Sequence, residues 1–278
     1  MSRARVDRLH GHTTVILEEP TMPKPYAAPK STPTWLDLGT SDKDKSKAFY
    51  GELLGWTAED AGDEFGNYTN FSSDGIQVAG CMQNDGSMGP DGWSAYFATD
   101  DIAKLAELAA ANGGQVVVPP MAVGDLGQMT FVTDPGGAFI GAWQAGEHKG
   151  FGVRNETNAP GWFELYTRDW DGALEFYREV FGCEIEVASD EPDFRYAIVM
   201  GDGLQVAGIM DGTQFLSEGV PAHWAVYFQV DDTDASVARA EALGGSVVQP
   251  AEDTPYGRLA TCTDSTGATF KLLQPPAE

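Results

Sequence analysis

The chain has 278 residues, of which 42 are acidic and 17 basic, and its formal net charge is −25. Because this charge repels phosphate backbones and anionic lipid heads, composition argues against nucleic acid and membrane surfaces as partners. The cysteines, Cys81, Cys183 and Cys262, are widely spaced and form no CxxC or Cys/His motif. We therefore expect neither a disulfide framework nor a zinc site, and a cytoplasmic location.

The N-terminal segment, residues 1–33, lies outside the pattern that organises the rest of the chain. Its first residues are basic, but the apolar run 13–17 that follows is too short for the core of a secretion signal. Prolines then recur at short intervals, as in an extended or disordered arm. They are Pro20, Pro23, Pro25, Pro29 and Pro33.

The remaining chain repeats itself once. The segment 34–40, followed by Phe49-Tyr50, returns as 161–167, followed by Phe176-Tyr177. Matched positions stay about 127 to 131 residues apart along the whole chain, which is typical of a tandem domain duplication. We predict one domain over 34–145, a linker over 146–160 and a second domain over 161–275.

Each copy contains the same order of predicted elements. In the first, an alternating strand at 34–40 precedes a helix that ends at Gly55, and three short strands follow to residue 82. A strand at 93–99 then leads into a helix capped near Asp101 and ended by Gly113, before three more strands complete the copy near residue 144. The pattern predicts an α+β fold of four βαβββ modules, two per domain. We expect curved mixed sheets that each leave a trough on one side and carry helices outside.

This order of elements resembles the vicinal oxygen chelate superfamily, which contains glyoxalase I, extradiol dioxygenases, fosfomycin-resistance enzymes and bleomycin-binding proteins. The resemblance rests on three features that occur in order in the chain. They are the Phe-Tyr pairs that end the first helices, the Asp100-Asp101 and Asp231-Asp232 helix starts, and the turn at 134–137.

The resemblance implies a divalent metal held by His or Gln, His and Glu from the first, fifth and eighth strands. The positions implied are Trp35, Ser94 and Gly141 in the first domain, and Trp162, Ala225 and Lys271 in the second. Since neither set offers more than one possible ligand, we expect no metal and no other cofactor.

Aromatic residues take the place of the metal ligands. We predict that troughs lined by flat rings bind a planar ligand by stacking, and that two strand glutamines offer it hydrogen bonds. The alternative for Trp35 and Trp162 is that they fill the core, and for the glutamines that they lie at a surface edge. The predicted ligand-binding residues are Trp35, Tyr96, Trp143, Trp162, Tyr166, Tyr227, Gln77 and Gln205.

The second domain also carries candidate acid–base residues. Glu164, His223 and Lys271 are the ionisable side chains that the strand register brings towards its trough, and Glu164 or His223 could act as a general base. The alternative is an ion pair between Glu164 and Lys271 across strands. Because Asp37 and Gly141 occupy these positions in the first domain, any chemistry is expected in the second.

Three functions are compatible with these patterns. The first is metal-independent binding of a hydrophobic, planar aromatic metabolite or antibiotic, in resistance by sequestration or in biosynthesis beside a tailoring enzyme. The second is a cofactor-independent oxygenase (hydroxylase) or isomerase acting on an aromatic polyketide-like substrate. The third, a glyoxalase-like lyase, would need a metal site that the sequence lacks. We expect a monomer or a weak homodimer.

Overall fold

The computed structural model describes residues 5–9, 12–16, 28–87 and 89–276. In the N-terminal segment, β1 (Arg5–Leu9) and β2 (His12–Ile16) form an antiparallel hairpin, a pairing that the prediction of an extended or disordered arm did not include. Ser31 is buried. Its hydroxyl donates to the carbonyl of Phe181 at 2.5 Å, and this contact ties the end of the segment to the second domain. The proline-rich stretch 17–27 lies outside the described residues.

The first copy forms one eight-stranded sheet, and the second copy forms another with the same topology. The first sheet contains β3 (Pro33–Thr40), β4 (Thr57–Asp60), β5 (Thr69–Ser73), β6 (Ile76–Gln83), β7 (Gly92–Ala98), β8 (Gln115–Val123), β9 (Gly127–Thr133) and β10 (Phe139–Ala145). The second contains β11 (Pro160–Thr167), β12 (Glu184–Glu191), β13 (Phe194–Gly201), β14 (Leu204–Asp211), β15 (His223–Gln229), β16 (Ser246–Thr254), β17 (Gly257–Thr263) and β18 (Thr269–Gln274).

The strand order is β4-β5-β6-β3-β7-β10-β9-β8 in the first sheet and β12-β13-β14-β11-β15-β18-β17-β16 in the second. In each, the opening strand lies near the centre, parallel to one neighbour and antiparallel to the other. The predicted tandem α+β fold with mixed sheets is therefore confirmed. The topology places the side chains of β3, β7 and β10, or of β11, β15 and β18, next to one another.

Four helices complete the described fold: α1 (Lys43–Leu54), α2 (Ile102–Ala111), α3 (Trp170–Phe181) and α4 (Thr233–Ala242). Asp101 and Asp232 cap α2 and α4 by accepting from backbone amides in the first turn, as the sequence predicts. Gly55 and Gly182 end α1 and α3 in the left-handed conformation, with φ of 69° and 70°. None of the helices in the described ranges combines the length and apolar character needed to cross a bilayer.

The two domains share one core. The Tyr50 hydroxyl donates to Asp264 of the other domain at 3.1 Å and accepts from the Trp93 indole at 2.9 Å. The second copy repeats this arrangement, since the Tyr177 hydroxyl donates to Asp134 at 3.3 Å and accepts from an indole in the same way. The Phe-Tyr pairs and the turn aspartates of the sequence pattern thus meet across the domain boundary.

Candidate functional site

A buried carboxylate lies at the floor of the first trough. Asp37 is 5% exposed and accepts hydrogen bonds from the hydroxyls of Tyr68 at 2.5 Å and Tyr96 at 2.8 Å. The Trp35 indole N–H lies 2.8 Å from the Tyr68 oxygen and 3.0 Å from Asp37. Burial raises the pKa of Asp37, and these hydrogen bonds oppose the shift because they stabilise the charged form.

The second trough contains the same constellation. Glu164 accepts from the hydroxyls of Tyr196 at 2.8 Å and Tyr227 at 2.5 Å, and the Trp162 indole donates to the Tyr196 oxygen at 3.3 Å. Burial is the main cause of the raised pKa of Tyr227, and the nearby carboxylate of Glu164 adds to it. A carboxylate, two tyrosines and a tryptophan are therefore common to both domains.

Sequence reasoning missed Tyr68 and Tyr196, although both lie on the repeat with a spacing of 128 residues. The structure also explains the repeated glycine on the adjacent strand. A Cβ atom at Gly80 would lie 1.6 Å from the Tyr68 oxygen, and one at Gly208 would lie 1.9 Å from the Tyr196 oxygen. Only glycine leaves room for the tyrosine hydroxyl to reach the carboxylate, so these repeated glycines were a signal for the site.

The first trough is filled by its own side chains. Of its predicted ligand-binding residues, Trp35 is 5% exposed, Tyr96 2% and Trp143 8%. His148, from the segment that follows the first sheet, packs edge-on against Trp35 with ring centroids 4.4 Å apart. Phe131 covers Tyr96 at 4.9 Å. A ligand could contact these aromatic residues only if His148 or Phe131 moved away.

The side chains of the second trough are less buried, and more of them are polar or charged. Where the strand register of the first domain places Gly39, Gly92 and Gly141, the second carries Tyr166, His223 and Lys271. All three of these side chains are half-buried, as is Trp162.

The half-buried residues of the second trough contact one another. The Tyr166 and His223 rings stack with centroids 5.6 Å apart and an interplanar angle of 18°. The Lys271 Nζ atom donates to the Tyr166 hydroxyl at 2.6 Å and lies over the rings of Tyr166 and Tyr227. Burial lowers the pKa of Lys271, and the charge of Glu164 opposes that shift. An aromatic wall and an ammonium group therefore border this trough.

The expected ion pair between Glu164 and Lys271 is not formed. Among the described residues, Lys271 has no ion-pair contact with a carboxylate within 4.0 Å. The two charges are joined instead through the hydroxyls of Tyr166 and Tyr227, which lie 3.2 Å apart. Tyr227 lies on β15, the strand between those of Glu164 and Lys271, and Tyr166 lies on the strand of Glu164.

His223 stacks on Tyr166 without a described hydrogen bond to the network, and the glutamines lie outside the trough. The His223 Nδ1 atom contacts the carbonyl of Pro221 at 3.0 Å, and the described contacts do not link it to Glu164. The Gln77 and Gln205 side chains are exposed. Gln205 lines a groove of about 340 Å³ together with residues 152–156, outside the trough.

The strand register shows how the positions implied for metal ligands are paired with their neighbours. Tyr96, and not Ser94, lies opposite Trp35, and Tyr227, and not Ala225, lies opposite Trp162. Within the described ranges, no group of three or more His, Cys, Asp or Glu side chains could hold a metal ion. The second trough offers one carboxylate with an ammonium group nearby, and this donor set does not fit a divalent cation.

The sequence also matches a known family model over residues 32–141 and 159–272, the two segments that form the sheets. The chain belongs to the Glyoxalase/Bleomycin resistance protein/Dioxygenase superfamily. The resemblance seen in the sequence is thereby confirmed. Like the fold, the family match occurs once in each half of the chain.

Relatives within this superfamily cover most of the chain. It is 37% identical over 263 residues to "Putative glyoxylase CFP32" of Mycobacterium tuberculosis, covering 91% of this chain and 98% of that protein. It is 36% identical to the anthracycline biosynthesis protein DnrV of Streptomyces peucetius, covering 87% and 92% of the two chains. The Mn(II)-bound glyoxalase from Novosphingobium aromaticivorans has a similar fold, with a TM-score of 0.61, 15% identity and coverage of 89% and 83%.

Proposed function

We propose that the chain binds a planar, hydroxylated aromatic small molecule in the trough of the second domain, without a divalent metal. The observation that carries the proposal is the half-buried set of Trp162, Tyr166 and His223 beside the buried Glu164 network. Ring stacking contributes about 0.5–1.5 kcal/mol per pair beyond the burial of apolar area. Hydroxyl and ammonium groups at the same wall would orient a ligand that carries its own oxygen atoms.

The difference between the troughs supports this choice of site. The aromatic residues of the first trough are covered by His148 and Phe131, whereas the wall of the second is only half-buried. The donor set of the second trough also favours an organic ligand over a metal ion, since its carboxylate already accepts two tyrosine hydroxyls.

The relatives suggest the class of ligand. Two of them are named anthracycline biosynthesis proteins and cover 92% of their own lengths in the match. A polycyclic aromatic metabolite of this kind has the flat, oxygen-bearing shape that the second trough would accommodate. We infer a role in capturing such a molecule, either as an accessory to its biosynthesis or by sequestration.

Binding can be measured with quinizarin, a planar dihydroxyanthraquinone, by isothermal titration calorimetry. We expect micromolar affinity, about −8 kcal/mol, and at least tenfold weaker binding after Trp162→Ala. Trp35→Ala is the matched control, because Trp35 occupies the equivalent position in the covered trough. It should change affinity by less than twofold. A larger loss of affinity in Trp35→Ala than in Trp162→Ala would indicate that the site lies in the first domain.

The metal-independent part of the proposal has its own test. Treatment with EDTA followed by dialysis should leave the affinity for quinizarin unchanged, and elemental analysis of the purified protein should find no stoichiometric zinc, nickel, manganese or iron. A retained metal whose removal abolishes binding would contradict this part and would favour the glyoxalase-like alternative.

A further inference from the structure

The second trough contains a chain of hydrogen bonds that the first trough lacks. The Tyr227 hydroxyl donates its only proton to Glu164 at 2.5 Å. Tyr166 must therefore be the donor in its 3.2 Å contact with Tyr227, since a hydroxyl has a single proton to give. Tyr166 in turn accepts from Lys271 at 2.6 Å. These contacts form a hydrogen-bonded path from Lys271 through two hydroxyls to the Glu164 carboxylate.

This chain provides a route for a proton. If each proton moves one step along it, the Lys271 ammonium becomes a neutral amine and the Glu164 carboxylate becomes a carboxylic acid, with no atom gained or lost. Burial, which lowers the pKa of Lys271, favours the neutral amine. A neutral lysine amine beside aromatic rings is a nucleophile.

Comparison of the two domains shows that the fold does not require the hydrogen-bonded path from Lys271 to Glu164. The first domain keeps the carboxylate and its two tyrosines, Asp37 with Tyr68 and Tyr96. It has glycine at the positions of Tyr166 and Lys271, so the amine and its connecting hydroxyl are additions of the second domain alone.

We propose that Lys271 forms a reversible imine with the carbonyl group of the aromatic ligand, with Tyr166, Tyr227 and Glu164 taking up the ammonium proton. This inference rests on the proposed function, because it places the bond within the same trough. The ligand class narrows accordingly, to planar aromatic aldehydes and ketones.

The reaction balances without an external oxidant or reductant. After the proton has moved to Glu164, the lone pair of the Lys271 nitrogen forms a bond to the carbonyl carbon, and the carbon–oxygen π pair moves to oxygen. Water then leaves with both hydrogens of the amine nitrogen, and a carbon–nitrogen double bond remains. Attack by water on the imine reverses the sequence.

Salicylaldehyde, a planar phenolic aldehyde, serves as the probe with the full-length protein. Incubation with sodium cyanoborohydride reduces any imine to a stable secondary amine, which intact mass spectrometry counts and peptide mapping locates. We expect one predominant adduct per chain, at Lys271. Exposed lysines such as Lys45 and Lys104, which pair with Asp42 and Glu107, should react at least tenfold more slowly.

Variants test the role of the hydrogen-bonded chain. Tyr227→Phe removes the hydroxyl that joins Tyr166 to Glu164 and should slow adduct formation at least tenfold. Tyr96→Phe is the matched control, since it removes the equivalent hydroxyl beside Asp37, and should leave the rate unchanged. If Tyr227→Phe does not fold, Tyr166→Phe breaks the chain one step earlier at a half-buried position.

The adduct measurements on the wild type and on the tyrosine variants test whether Lys271 forms the imine. The absence of an adduct at Lys271, or an unchanged rate after Tyr227→Phe or Tyr166→Phe, would overturn the inference. Quinizarin binding measured on the same protein separates this failure from failure of the proposed function. Binding without an adduct leaves the aromatic site intact and removes only the covalent step.

Discussion

His148 closes the first trough, and its titration provides a direct test of that closure. The imidazole packs against Trp35 and Trp143 with ring centroids 4.4 Å and 5.6 Å away, and burial lowers its pKa from 6.5 to about 4. The folded protein therefore keeps His148 neutral at pH values where the unfolded chain binds a proton. This group's contribution to stability is lost as pH falls from about 6.5 to about 4, and does not change further below that.

The size of the effect follows from the two pKa values. At pH 5, preferential protonation of the unfolded chain lowers the free energy of unfolding by about 2 kcal/mol, and at pH 7 by only about 0.2 kcal/mol. Asp134 has the opposite effect, because burial raises its pKa to about 6 and the folded state gains stability as that carboxyl protonates. Burial also raises the pKa of Asp37, so the pH dependence of the wild type alone combines groups with opposing effects.

The variant His148→Asn isolates the contribution of the imidazole. Asparagine is polar and does not titrate, so the loss of ring packing on Trp35 should cost the same at every pH. We expect the stability difference between wild type and variant to shrink by about 2 kcal/mol between pH 7 and pH 5, measured by urea denaturation followed by circular dichroism. A difference that stays constant within about 0.5 kcal/mol would show that His148 is solvated and that the first trough is open.

Two further substitutions test the shared core and the carboxylate network. Tyr177→Phe should destabilise the chain by about 1–3 kcal/mol in thermal or urea denaturation, because it removes the hydrogen bond to Asp134 across the domain boundary and the acceptor of the Trp224 indole within the second domain. No loss of stability would mean that the hydrogen bonds of the Tyr177 hydroxyl do not contribute to the stability of the shared core. Gly208→Ala should displace Tyr196 from the carboxylate, lowering stability by about 1–3 kcal/mol and weakening quinizarin binding. Unchanged quinizarin binding would show that Tyr196 does not contribute to the ligand site.

The sequence predicts the fold well because the relevant signals are local and occur twice. Helix ends depend on residues such as Gly55 and Asp101, whose conformational and capping preferences act within a single turn. The repeat spacing then requires the same module order in both halves, which the two sheets confirm. Neither signal requires knowledge of which strands are neighbours.

The site was harder to predict because it depends on cross-strand register. Counting along the chain gave Ser94 as the position that shares an implied ligand set with Trp35, whereas the paired strands place Tyr96 opposite Trp35. A shift of two residues keeps the same face of the strand and changes the neighbour, so alternation alone cannot detect the error. The covering of Trp35 by His148 is a contact between a strand and a loop 113 residues later, for which the sequence has no local signal.

The duplication supplies information that a single domain would not. Both copies have the same topology, so a feature present in both is explained by folding alone, as with the carboxylate held by two tyrosines. Side chains that replace glycines in only one copy need another reason, because the other copy folds without them. Tyr166 and Lys271 meet this condition, and they extend the shared network to the half-buried wall of the trough. The same comparison selects the matched controls, since Trp162 and Tyr227 have structural equivalents in Trp35 and Tyr96 of the first trough.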